Sequence, residues 1–129
     1  MLTEETLEQI NELLIELNKL ASDGVPIVVE GREDEKALKT LGVSGRFCRI
    51  SSGNSLLNFV ERLSGSREIV ILTDFDRTGE ELAKFINKHA KRLGIEPITE
   101  FRERLKPLVR RNVKDVEGLA KFLQKERER

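Results

Sequence analysis

Glu68-Ile69-Val70-Ile71-Leu72-Thr73-Asp74-Phe75-Asp76-Arg77-Thr78-Gly79-Glu80 is the stretch that decides how this chain is read. Its first half is a short apolar run rich in β-branched residues, the pattern of a strand buried on both faces. Two aspartates and a glycine follow at once. From Thr78 to Leu93 the spacing changes to that of a helix, with Leu82, Phe85, Ile86, Ala90 and Leu93 on one stripe and Gly94 as the stop. The unit is strand, acidic turn, helix, and its carboxylates lie at the carboxyl end of the strand.

The same unit recurs elsewhere in the chain. Val25-Pro26-Ile27-Val28-Val29 predicts a buried strand ending in Glu30-Gly31, followed by a helix from Glu33 to Leu41 that Gly42 ends. Phe47 to Ile50 predicts a second strand, then Ser51-Ser52-Gly53 and a helix from about Ser55 to Leu63. Glu96 to Thr99 predicts a fourth strand. Thr3 caps an amphipathic helix to about Leu20, and Val116 to about Lys125 predicts a closing helix. Strands alternating with helices imply an α/β fold: a mostly parallel sheet of about four strands with helices on both faces, plus an N-terminal helix. One domain is expected over residues 1–129, with a core at about 25–99, the N-terminal helix at about 3–20 and a basic extension at about 101–129.

Composition removes several function classes. The chain has 23 Lys+Arg against 23 Asp+Glu, so it is neither a basic DNA-coating protein nor an acidic tail. The balance is uneven, however: residues 101–129 hold 10 basic and 5 acidic side chains. No tyrosine is present, which excludes a tyrosine nucleophile. One Cys (Cys48, expected in the core) and one His (His89) cannot build a Cys/His zinc site or an internal disulfide. No apolar run approaches the ~18 residues of a membrane span, and the first residues lack a signal-peptide pattern, so a cytoplasmic location and no membrane partner are expected. Heavy Glu, Lys and Arg use with two Gln and one Met fits a thermophile.

Ligands of open α/β sheets sit at the carboxyl ends of the strands. Glu30, Asp74 and Asp76 all fall there. Residues two apart on an extended chain face the same way, so Asp74 and Asp76 are expected to point together at one cation, with Glu30 from a nearby strand. Mutually repelling carboxylates need a counter-cation, and hard oxygens suit Mg²⁺, with Mn²⁺ as a substitute. Gly31 and Gly79 are expected to admit phosphate or backbone at close range.

Glu30-Gly31-Arg32-Glu33-Asp34 together with Asp74-Phe75-Asp76-Arg77-Thr78-Gly79-Glu80 resembles the Toprim domain of topoisomerases, bacterial-type primases and small nucleases. The resemblance implies a Rossmann-like Toprim fold, Glu30 as general acid or base in phosphodiester chemistry, and Asp74 and Asp76 holding Mg²⁺. Gly31, Asp34, Gly53, Arg77, Gly79 and Glu80 would be supporting residues. The chain is similar in detail to the small bacterial ribonucleases that mature 5S ribosomal RNA and to the stand-alone Toprim proteins of archaea. It departs from the ribonucleases in lacking a recognisable long C-terminal RNA-binding region. The implied activity is nuclease or nucleotidyl transfer, with water as the nucleophile and RNA rather than DNA as the expected nucleic acid. The alternative is a non-catalytic, metal-assisted RNA- or ribosome-binding module with a protein or ribosomal partner. Asp74-Phe75-Asp76-Arg77-Thr78 also looks like the start of haloacid-dehalogenase-like phosphatases, though the rest of that pattern is missing. Arg102, Arg104, Lys106, Arg110 and Arg111 are candidate contacts to nucleic-acid phosphates.

Overall fold

The computed structural model describes residues 3–51, 55–109 and 113–128. In chain order the elements are α1 (Glu4–Ser22), β1 (Ile27–Val29), α2 (Arg32–Thr40), β2 (Phe47–Arg49), α3 (Leu56–Arg62), β3 (Glu68–Ile71), α4 (Arg77–Arg92), β4 (Glu96–Ile98), α5 (Glu100–Val109) and α6 (Val116–Arg127). The strands form one parallel sheet in the order β2-β1-β3-β4, with Ile27 beside both Phe47 and Val70, and Glu68 beside Glu96. The expected α/β architecture is therefore present.

Alternation along the central strands divides the core into two layers, because successive side chains leave a strand on opposite faces. Ile27, Val29, Val70 and Leu72 pack under α1, α2, α5 and α6. Val28, Ile69 and Ile71 pack under α3 and α4. Ile27, Val28 and Val29 are all fully buried, as expected of a strand covered on both faces. Strand β2 lies at the sheet edge, so Cys48 is only half-buried and is not the core residue its apolar surroundings suggested.

The chain winds one way from β1 to β2, then crosses back over β1 to reach β3. The connections leaving β1 and β3 consequently run to opposite faces, and a crevice opens between the two carboxyl ends. This is the topological switch point where such sheets bind ligands. Helix α5 was not expected from the sequence. Phe101, Leu105 and Val109 recur every four residues and are buried, while the arginines and lysines between them masked the stripe.

Candidate functional site

Glu30 and Asp74 meet in this crevice. Glu30 follows the last residue of β1, and its Oε2 accepts the Asp74 N–H at 2.7 Å. The Glu30 side chain thus stands beside Asp74, held on its backbone N–H. Burial first, and then that contact with Glu30, push the Asp74 carboxyl from 3.8 up to about 7. The first turn of α6 restrains the rise, because the Val116 N–H donates to Asp74 Oδ1 at 3.0 Å. Asp34 adds a third acid. Its Oδ2 accepts the Gly31 N–H at 3.1 Å, and burial followed by the charge of Asp74 raises it to about 6.

Asp76 is elsewhere. Its side chain caps α4, with Oδ1 accepting the Gly79 N–H at 2.7 Å, and the residue is exposed. Asp74 and Asp76, expected to point together at one cation, thus have different partners: Asp74 meets the Val116 N–H and Asp76 the Gly79 N–H. The premise of that expectation was a continuous strand, but β3 ends at Ile71, the Leu72 N–H makes the last bond to β1, at the Val28 carbonyl, and residues 73–76 form the loop into α4. Among the described residues no three His, Cys, Asp or Glu side chains form a group able to hold a metal ion. By donor chemistry the fit to a divalent cation is a pair, Glu30 and Asp74, both of which offer hard carboxylate oxygens.

The two glycines divide as well. A Cβ on Gly79 would meet Asp74 O at 1.9 Å, so only glycine lets the first turn of α4 lie against the Asp74 backbone. Gly31 is extended and a Cβ there would meet only Ser51 Oγ at 3.6 Å, so nothing within the protein demands glycine. Of the remaining supporting residues, Arg77 is exposed and pairs with Glu81, while Gly53 lies outside the described residues.

The basic extension changes meaning. Arg102 is not a surface contact: it is 3% exposed. Its Nη1 donates to Glu80 Oε2 at 2.6 Å and its Nη2 to the Asp74 carbonyl at 2.7 Å. The guanidinium holds the Glu80 carboxyl below its usual range. A signal for this burial was present, since Arg102, Leu105 and Val109 stand at i, i+3 and i+7 on one helix stripe. Lys106 lies 3.8 Å from Glu80, and Arg104 is exposed. Arg110 and Arg111 lie outside the described residues. Sequence reasoning also missed the docking of α6, whose own cap, Asp115 on the Gly118 N–H, is a purely local feature. His89 stacks on Phe85 with ring centroids 4.1 Å apart, away from the acids.

The Toprim-domain profile matches residues 25–117, which is most of the chain and includes Glu30, Asp74, Asp76 and the tip of α6. The chain belongs to the Toprim family. This Toprim protein is similar to archaeal proteins named UPF0292. It is 38% identical over 120 residues to that of Methanosarcina acetivorans, covering 92% of this chain and 83% of the relative. It is 34% identical over 127 residues to that of Methanocaldococcus jannaschii, covering 97% and 98%. A solved structure of a protein from Aquifex aeolicus superposes with a TM-score of 0.68 at 28% identity, over 82% of this chain and 94% of that one. Membership in the family associates this Toprim domain with divalent metal ions and with nucleic acid. Among its described residues no helix is long and apolar enough to cross a membrane.

Proposed function

We propose that this Toprim protein is a Mg²⁺-dependent enzyme of nucleic-acid phosphodiester bonds, acting on RNA rather than DNA. The observation that carries this reading is the Glu30–Asp74 pair at the switch point, with Glu30 Oε2 on the Asp74 N–H and the Asp74 carboxyl raised to about 7. A buried carboxyl raised by desolvation and by a neighbouring acid is the kind of group that a bound cation would relieve, which suits Asp74 to a metal. Glu30 is the general acid or base, and Asp74 the principal metal ligand. Asp76, whose second carboxylate oxygen is not used by the helix cap, is the second ligand. The metal, Mg²⁺ or Mn²⁺ in its place, would supply charge neutralisation and an activated water. Arg104 and Lys106, with Arg110 and Arg111, would hold the backbone of the nucleic acid without reading sequence. The domain over residues 1–129 would work as one unit, in the cytoplasm.

One observation favours the non-catalytic alternative. Asp76 is committed to capping α4, and two carboxylates suffice for metal-assisted phosphate binding. Turnover of a labelled structured RNA and of single-stranded DNA in Mg²⁺ separates the two readings. The enzyme reading expects cleavage that Glu30→Gln reduces by about 10²–10⁴ at any Mg²⁺ concentration, whereas Asp74→Asn recovers partly as Mg²⁺ is raised. Binding of RNA without turnover would establish the module instead.

A further inference from the structure

Arg102 is a charged group in the core, and its hydrogen bonds converge on the loop between β3 and α4 and on the start of α4. Nε faces the Thr73 carbonyl at 3.3 Å and the Asp74 carbonyl at 3.2 Å. Nη2 donates to the Asp74 carbonyl at 2.7 Å and Nη1 to Glu80 at 2.6 Å. The two carbonyls belong to the peptide groups on either side of the Asp74 Cα. Fixing both planes fixes where the Asp74 N–H and side chain point. The N–H then meets Glu30, and the side chain meets the Val116 N–H. The Phe75 N–H, one residue on, meets the Lys114 carbonyl at 2.7 Å. A guanidinium can do this because its donors form a rigid planar fork, whereas an ammonium is a point charge. Glu80 lies on the first turns of α4 and neutralises the buried cation, which ties the fork to the helix that Asp76 caps.

We propose that Arg102 is a positioning residue of the acidic site: it presets the Asp74 backbone so that the Asp74 carboxyl stands against Glu30 before any ligand arrives. Its effect on metal affinity rests on the functional reading above, while its effect on the loop does not. Groups that orient metal ligands from behind commonly change affinity by about 10–100-fold when removed.

The test uses the full chain and two readouts. Amide hydrogen exchange of the metal-free protein reads the clamp directly. Arg102→Met and Arg102→Lys are expected to lose protection at Asp74, Phe75 and Val116 by about tenfold or more, while the strand amides of Val70 and Leu72 keep theirs. Leu105→Ala, a core truncation on the same helix, controls for general loosening and is expected to leave the ratio of loop to strand protection unchanged. Mn²⁺ titration then reads the site. Both Arg102 variants are expected to bind Mn²⁺ at least about tenfold more weakly than wild type, and Leu105→Ala to match wild type. Should Arg102 variants fail to fold, Glu80→Gln, on a half-exposed side chain, is expected to shift both readouts in the same direction by a smaller factor. Unchanged loop protection in the Arg102 or Glu80 variants overturns the proposal, as does a loss that Leu105→Ala reproduces. Wild type that binds no Mn²⁺ overturns the functional reading instead, with the exchange pattern still deciding the clamp.

Discussion

The first turns of α4 and α6 face the same loop, yet they treat its two aspartates in opposite ways. Helix α4 takes the carboxylate of its own Asp76 as a cap, which turns that acid out to solvent. Helix α6 is already capped by its own Asp115, and it spends a further N–H on Asp74, 42 residues away. A helix N-terminus attracts carboxylates because its leading N–H groups lack intrahelical partners. Where the carboxylate is local, that attraction ends in a turn. Where it comes from a distant loop, the attraction fixes tertiary structure and holds an acid inside a crevice. The two positions of one Asp-x-Asp motif thus differ in burial and in electrostatic role.

The steric half of this contrast should break most visibly at Gly79. Gly79→Ala drives a methyl into the Asp74 backbone, with contacts of 1.9 Å to O and 2.7 Å to C. Backbone cannot swing aside as a side chain can, so the loss in denaturant unfolding is expected to reach at least about 3 kcal/mol. Gly31→Ala, where the nearest atom stands at 3.6 Å, is expected to cost about 1 kcal/mol or less, as an alanine helix cap. Equal costs at the two positions would mean that α4 does not rest on Asp74.

The electrostatic half is expected to show in the pH dependence of the metal-free protein. Asp74 stands at about 7 and Asp34 at about 6, both above the 3.8 of a free aspartate. The folded state therefore holds protons that the unfolded chain has released, and stability falls as pH rises through that window. Melting is expected several degrees higher near pH 5 than near pH 8, within the interval these groups span. Asp74→Asn removes the repelled charge, so it should raise melting at neutral pH and flatten the profile. Asp76→Asn should do neither. A profile that Asp76→Asn flattens as well would place both aspartates in one cluster.

The smallest expected effect concerns the cap itself. Asp76→Ala strips the acceptor from Gly79 and should cost about 1 kcal/mol, while Asn keeps an acceptor and should stay within about 0.5 kcal/mol of wild type. Thermal unfolding of the metal-free variants distinguishes them, and an alanine variant as stable as wild type would show the cap to be idle.

What the sequence reveals and what it hides follow the same division between local and distant. The run Ile27-Val28-Val29, the stripe of α4 and the stop at Gly94, whose φ is +76, are local and were readable. The meeting of Glu30 and Asp74 was readable too, because strand ends in a parallel sheet share one pole. The capping of α4 by Asp76 was not foreseen, since alternation was carried beyond the last residue of β3. Arg102 was read by its charge rather than by its place on the stripe with Leu105 and Val109. The docking of Val116 on Asp74 had no local signature at all.

That last contact also orders events during synthesis. Residues up to Asp76 supply both carboxyl groups, but the N–H that steadies Asp74 is added 40 residues later, with α6, and the buried side chains of Val116, Leu119 and Leu123 arrive with it. At about 5–20 residues per second, a growing chain spends several seconds with the acids made and their cover missing. During that interval the face formed by Ile27, Val29, Val70 and Leu72 is only partly covered. The acidic crevice is therefore a late product of translation, reaching its final form only when the chain that began it has returned to close it.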